Sequence, residues 1–324
     1  MFAPPIVSGF LTVILIVAML GVKRILPLDH PNHRSLHESP TPRTGGLAVM
    51  LGAGCGWALV QPPFEQLPTI ALALALSAIH FFDDARGLSI ALRFGIQVIA
   101  SAVLVWLLPA VPGGMLGTAL ALVALVWMTN LYNFMDGSDG LAGGMAAFGF
   151  GFYSLAAYHD GFIAFAVQSA CLAAASVGFL WFNFNPARIF MGDAGSIPIG
   201  FLAAATGIAG WQAKLWPLAF PVILFSPFIV DASVTLLKRF LTGEKFWQGH
   251  RDHYYQRLVR MGWGHRDTAL LEYALMLACG ISALLIQHSS TTRQISVVIA
   301  WASVYGYLLY SIDQAWKKQA GKIR

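Results

Sequence analysis

A chain of 324 residues that is 57% hydrophobic and only 11% charged cannot clothe a soluble fold, since soluble domains carry about 25% charged residues. Its mean hydropathy of +0.66 marks an integral membrane protein. The net charge of +5 is not a nucleic-acid signature, because it follows the loops on one side of the membrane.

A bilayer span needs about 20 apolar residues. In chain order, candidate spans lie near 5–22, 45–62, 67–82, 92–109, 115–131, 141–158, 161–182, 195–212, 214–237, 268–287 and 294–312. This predicts an all-α integral membrane protein of about eleven transmembrane helices, one polytopic domain over 1–324. The first segment lacks a basic leader and is followed by Lys23–Arg24, so it is expected to stay as a span rather than be cleaved. Cys55, Cys171 and Cys279 sit in apolar segments without pair spacing and read as small core residues.

Orientation follows from the cations. With the N-terminus outside, the loops near 23–44, 83–93, 129–140, 183–194 and 238–267 and the tail share one side. Of the 20 Lys and Arg, only Lys214 and Arg293 fall elsewhere, leaving 18 on that side. The N-terminus is therefore expected outside, the C-terminus in the cytoplasm and the active site at the cytoplasmic face.

The loops on that side hold nearly all residues capable of chemistry. HFFDDARG, residues 80–87, ends the third span with Asp83 and Asp84. Adjacent carboxylates repel, so ionising both calls for a cation or donors, and magnesium suits oxygen ligands. A solvated loop neutralised by Arg86 is the plain alternative. DGSDG, within FMDGSDGLAGG at 134–144, extends a period-three series, Asn130, Asn133, Asp136 and Asp139, which on a helix shares one face. FNFNPARIFMGDAGSIPIG, at 182–200, predicts a loop broken by Pro186, with Asp193 flanked by glycines, Ser196 as a helix cap and a helix start suited to phosphate. Residues 243–267 form a basic run with Lys245, His250, Arg251, His253, Arg257, Arg260, His265 and Arg266. Its arginines suit diphosphate, and DHYYQRLVRM reads as an interfacial amphipathic helix. Acids, a divalent cation and a basic loop together describe a phosphoryl-transfer site.

The ordered set PTPRTGG (40–46), FDDARG (82–87), NLYNFMDGSDGLAGG (130–144), NPARIFMGDAGS (185–196) and a histidine-bearing loop at 250–258 resembles the polyprenyl-phosphate N-acetylhexosamine-1-phosphate transferases. These are glycosyltransferase family 4 enzymes related to phospho-N-acetylmuramoyl-pentapeptide transferase. The resemblance implies a bacterial inner-membrane enzyme that moves a sugar 1-phosphate from a UDP-activated N-acetyl amino sugar to undecaprenyl phosphate. It implies release of UMP and use of Mg2+, with Mn2+ as a substitute. It assigns Asp83, Asp84, Asp136 and Asp193 to catalysis, with Asp193 and Asp83 at the metal. It assigns Asn133, Asp139, Asn183, Arg188, Phe190, His253 and Arg257 to substrate, with Asp139 at the uracil edge and Phe190 as a stacking platform. Whether a carboxylate acts as base or covalent nucleophile stays open, as does Asp136 on metal or nucleotide. Relatives of this kind can be homodimers, and no nucleic-acid partner is implied.

Two departures stand out. The double-Asp motif usually has Lys or Asp where this chain has Gly87, and His253 is followed by Tyr254 and Tyr255 instead of further histidines. These point toward the branch that initiates O-antigen or other cell-envelope polysaccharides, with N-acetylglucosamine, N-acetylfucosamine or N-acetylquinovosamine as donor sugar. The rival from another class is a secondary transporter using its acids for ion or proton coupling. It predicts charges near the bilayer midplane, whereas the acids here lie at one end of the helices and the only other candidate intramembrane acid is Asp231, late in the ninth span, with Lys238 as its expected partner.

Overall fold

The computed structural model describes residues 2–22, 26–31, 35–36, 39–60, 66–108, 111–245 and 248–322. The Lys23–Arg24 pair lies outside them. Helices α1 (Ala3–Gly21), α2 (Gly45–Val60), α3 (Leu67–Arg86), α4 (Ile90–Leu107), α5 (Gly114–Phe134), α6 (Leu141–His159), α7 (Ile163–Asn183), α8 (Asp193–Gln212), α9 (Ala219–Leu224), α10 (Ser226–Leu241), α11 (Tyr254–Leu258), α12 (Gly264–Ile286) and α13 (Thr291–Lys322) follow in order. A two-residue antiparallel pair, Leu28–Asp29 with Thr41–Pro42, precedes α2. Among the described residues, ten of the eleven expected spans coincide with one helix apiece, and the remaining one, 214–237, holds two. Nine helices among the described residues are long and apolar enough to cross a membrane.

The other two candidates depart for local reasons. Helix α2 is shorter, at 16 residues. The segment expected at 214–237 breaks at Phe225 (φ −98°, ψ 9°) into α9 and α10. Pro227 cannot donate to the carbonyl of Ile223 and its ring crowds it. The Ser226 hydroxyl takes that carbonyl instead, at 2.7 Å, so the break costs no orphaned acceptor.

Helix α8 is the axis of the bundle. Inside the protein, 78% of its apolar window is buried, against 6% for the peripheral α13. Its sequence, DAGSIPIGFLAAATGIAGWQ, is rich in small residues, which let helices approach closely where lipid gives no hydrophobic drive. It packs on α2, α3, α5 and α6. A Cβ at Gly200 would lie 2.6 Å from the Met128 carbonyl on α5. Pro198 inside α8 frees the carbonyl of Ala194, and Ser77 of α3 donates its hydroxyl to it at 2.7 Å. One proline thereby ties the start of α8 to α3.

Cys171 and Cys279 are buried as expected, whereas Cys55 lies on an exposed face of α2, and all three are free thiols. Tryptophan and methionine side chains such as Trp106 (81% exposed) and Met115 (90%) point outward, as a lipid-facing surface requires.

Helices α2 and α8 meet backbone to backbone. A Cβ on Gly46 would lie 2.2 Å from the Cα of Gly195. Gly46→Ala is therefore expected to force the two helix starts apart, at a cost of about 1–3 kcal/mol. A lowered unfolding midpoint of the purified protein in detergent is the expected reading, and an unchanged midpoint would contradict the contact.

Candidate active site

The site begins with how PTPRTGG meets the loop before α8. Three backbone hydrogen bonds stitch them: Phe190 N–H to the Pro42 carbonyl (2.7 Å), Gly45 N–H to Phe190 (2.9 Å) and Gly46 N–H to Met191 (2.8 Å). Gly192, at φ +70°, completes the approach, since a Cβ there would lie 2.2 Å from the Arg43 carbonyl. This fixes the first residue of α8, Asp193, and sets Arg43 beside α3. Ser196 does not cap α8 from outside, as the sequence suggested. It lies in the first turn, donating to the Gly192 carbonyl (3.2 Å) and accepting from Asn133 (2.9 Å).

Carboxylates from three helix ends converge here. Asp193 accepts from the Arg93 guanidinium (2.9 Å) and the Asn133 amide (2.8 Å). Asp83 and Asp84 close α3. Arg93 also reaches Asp83 at 3.5 Å, so one cation bridges two acids. Asp83 further accepts the Leu88 amide and is buried. It stands behind the cleft instead of lining it. Arg43 sits 3.5 Å from Asp84 Oδ1 and donates to the Asp84 backbone carbonyl at 2.7 Å. The buried Oδ2 of Asp84 has no hydrogen-bond partner. Asp136 follows α5, half-buried at the edge of the same cleft. Burial, then the charges of Asp193 and Asp84, hold its carboxyl well above the ordinary range.

The period-three series of asparagines and aspartates is not one helical face. Helix α5 ends at Phe134, and Gly140, at φ +77°, turns the chain into α6. Its members therefore do separate jobs. Asn130 donates to its own helix at Val126 (2.8 Å), and Asn133 reaches Asp193. Asp139 holds the 185–187 loop, accepting from Asn185 (2.9 Å) and the Ala187 amide (3.0 Å). Asn183 works beside it, accepting from the Gly140 amide and donating to the Ile189 carbonyl, both at 2.9 Å. Asp139 and Asn183 also line the cleft, so they shape its wall as well as facing it.

Within the basic run, the segment read as an amphipathic helix at 252–261 is helical from Tyr254, as the five-residue α11 continued by a π-helical turn at Val259–Trp263. Asp231 organises it. Its carboxylate accepts the Tyr254 and Tyr255 amides, each at 2.9 Å, and faces His253 Nδ1 at 3.2 Å. Lys238 is not its partner, as the sequence suggested, but bonds Asp313 and Tyr254. His253 is buried and stacks on His250 (4.8 Å between centroids), which itself lines the cleft. Burial and the nearby His253 and Arg239 push His250 down to about 4, so it faces the cleft uncharged at neutral pH.

The cleft encloses about 1180 Å³ of space, part of it open to solvent. Among the expected site residues, Asp84, Asn133, Asp136, Asp139, Asn183, Phe190 and Asp193 line it. Arg188 and Arg257 lie apart. Arg188 donates to the Trp181 carbonyl (3.2 Å) and covers Phe182, and Arg257 pairs with Asp313 (2.8 Å). The lining also includes Asp29, Arg43, Tyr255, Gln256 and His265, which sequence reasoning left unassigned. Arg43 sat inside a quoted motif and could have been found there. His265 stood within the basic run but was given no role there, and Asp29 carries no local signal. His265 Nδ1 accepts the Asp139 amide at 3.3 Å and faces Ser138 Oγ at 2.8 Å, which leaves its proton on Nε2.

The site is thus an acid-lined cleft at the ends of α3, α5 and α8. The profile of Glycosyl transferase family 4 matches residues 67–210. The chain is 33% identical over 303 residues to the decaprenyl-phosphate N-acetylglucosaminephosphotransferase of Mycobacterium leprae, covering 79% of this chain and 76% of that one. It is 27% identical to a protein of Bacillus subtilis named probable undecaprenyl-phosphate N-acetylglucosaminyl 1-phosphate transferase, over 90% and 87% of the two chains. It is 25% identical to the undecaprenyl-phosphate alpha-N-acetylglucosaminyl 1-phosphate transferase of Escherichia coli K12, over 95% and 89%. The chain therefore belongs to the polyprenyl-phosphate N-acetylhexosamine-1-phosphate transferases, and it is a multi-pass membrane protein.

The raised carboxyl of Asp136 has a thermodynamic consequence. The folded protein binds that proton more tightly than the unfolded chain, so stability falls as pH rises from the ordinary carboxylate range toward the raised value. Without divalent cations, Asp136→Asn is expected to flatten that fall and to raise the unfolding midpoint near neutral pH. Unfolding midpoints across pH 4–8 (roughly the carboxylate-to-neutral range) would check it, and parallel curves for variant and wild type would refute it.

Proposed function

We propose that this enzyme transfers an N-acetylhexosamine 1-phosphate from a UDP-sugar to undecaprenyl phosphate, releasing UMP, at the cytoplasmic face of a bacterial inner membrane. The observation that carries the reading is the convergence of Asp83, Asp84, Asp136 and Asp193 from three helix ends, with Asp84 Oδ2 buried and unpartnered. The relatives are named for N-acetylglucosamine transfer, so UDP-N-acetylglucosamine is the first donor. Initiation of O-antigen or another envelope polysaccharide is the use the family suggests. The transporter reading is disfavoured, because the intramembrane acid the sequence offered for it, Asp231, is consumed in holding α11.

The site fits Mg2+. Among the described residues the cleft is lined by Asp29, Asp84, Asp136, Asp139 and Asp193 but by one arginine, Arg43, an excess of hard oxygen donors that a hard cation would balance. Asp193, Asp84 and Asp136 would hold it, with Asp83 behind them anchoring Arg93. When bound, the ion would neutralise the diphosphate and polarise the β-phosphorus.

In the reaction, a lipid phosphate oxygen forms a bond to the β-phosphorus, and the bond from that phosphorus to the bridging oxygen breaks. The electron pair leaves with UMP. A phosphate monoester has a second pKa of about 6, so the attacking lipid phosphate is largely dianionic at neutral pH. Direct attack then needs no general base, and the carboxylates serve charge placement. Asn133 orients Asp193, Phe190 on the cleft wall would stack on the nucleotide base, and neutral His250 offers a hydrogen bond without repelling or attracting diphosphate.

Purified protein with undecaprenyl phosphate, Mg2+ and UDP-N-acetylglucosamine is expected to release UMP. Failure with every UDP-N-acetylhexosamine, under conditions where a relative works, would overturn the proposal. Asp193→Asn is expected to lower turnover by about 100-fold or more (roughly 3 kcal/mol of lost transition-state stabilisation) in a folded protein. Chelation by EDTA should abolish UMP release, with Mg2+ and then Mn2+ restoring it. Turnover that persists after chelation would remove the cation from the mechanism.

A further inference from the structure

The end of the bundle opposite the cleft carries a second constellation. Helices α6 and α12 both start at the cleft, at Leu141 and Gly264, and run to His159 and Ile286. At about 1.5 Å per residue, those 19 and 23 residues span roughly 28 and 34 Å. At the far end His159, Asp160 and His288 meet, with ligand-capable atoms all within 4.8 Å of one another. Asp160 Oδ1 lies 2.9 Å from His288 Nε2 and 3.3 Å from His159 Nδ1.

We propose that His159, Asp160 and His288 bind a transition-metal ion of the zinc class, joining the α6–α7 turn to the α12–α13 turn. Two imidazoles and one carboxylate are the donor set that such ions prefer, unlike the all-oxygen carboxylate cleft. Metal bonds of about 2.0–2.1 Å place tetrahedral neighbours about 3.3 Å apart, close to the spacing already present around Asp160 Oδ1. Both histidine side chains are exposed (79% and 59%), whereas Asp160 is 16% exposed, so the rings can rotate onto an ion held by a fixed carboxylate. That carboxylate is oriented from within. Gln287 Nε2 holds Asp160 Oδ2 at 3.0 Å while facing the carbonyls of Ala156 (3.2 Å) and Leu215 (3.1 Å). A buried amide that aims Oδ1 outward is the outer-shell support that metal ligands characteristically have. Water would complete the coordination.

The test titrates the EDTA-stripped, full-length protein in detergent with ZnCl2, and with CoCl2 as a spectroscopic probe. One zinc per chain and visible absorption of four-coordinate cobalt are expected, with zinc raising the unfolding midpoint. His288→Ala and Asp160→Asn should each weaken binding by about tenfold or more. His288→Gln, which keeps a hydrogen-bonding amide at that position, should unfold at the metal-free wild-type midpoint yet no longer respond to zinc. Absence of stoichiometric zinc on the wild type would overturn the proposal. So would zinc that binds the three variants as tightly as the wild type, since other histidines would then hold it.

Discussion

Like charges forced together at the ends of buried helices are the constraint on which this structure turns. At an effective dielectric of about 20, two carboxylates 4 Å apart repel by about 4 kcal/mol. The protein meets that cost with fixed partners. Arg93 bridges Asp83 and Asp193, Arg43 stands against Asp84, and Asn133 donates to Asp193. What these partners leave uncompensated, the unpaired oxygen of Asp84 and the raised carboxyl of Asp136, is the capacity of the site to take a cation and a diphosphate.

That arrangement demands rigid helix ends, and the rigidity comes from small residues and displaced hydrogen bonds. Gly46 and Gly195 let two backbones touch where a methyl group would keep them apart. Pro198 and Pro227 each remove a helical hydrogen bond, and a serine replaces it: Ser77 from a neighbouring helix, Ser226 from the same one. In lipid an unpaired carbonyl costs several kcal/mol, so each proline is tolerable only because its serine is there. Asp231 plays a similar part for the basic segment, capping α11 and thereby setting His253 beneath His250 at the cleft.

The two ends of the bundle differ in chemistry. One gathers carboxylates with arginines, suited to a hard ion and phosphate. The other gathers two histidines around one carboxylate. Helices α6 and α12 connect them, so any ion bound at the far end would act on the cleft only through the packing of those two helices.

Hydropathy alone located the nine helices among the described residues that are long and apolar enough to cross a membrane, because a span must be apolar along its whole length and lipid leaves no alternative to a helix; the break of 214–237 into α9 and α10 it did not foresee. Conspicuous acids and amides in the motifs, and for Asn183 and Phe190 the family resemblance, singled out Asp84, Asn133, Asp136, Asp139, Asn183, Phe190 and Asp193, all of which line the cleft. Which of these touch one another was decided by the tertiary structure. Asp139 became a brace for the 185–187 loop, Asp83 moved behind the cleft, and Arg188 and Arg257 turned to partners elsewhere, because long side chains follow the nearest carbonyl, ring or carboxylate and not their neighbours in sequence. His265, one of several histidines in the basic run, and Asp29, unremarkable where it stands, reached the cleft because α12 begins there and a two-residue strand pair folds back upon it. Periodicity can report a helix; only packing in three dimensions determines what its ends will meet.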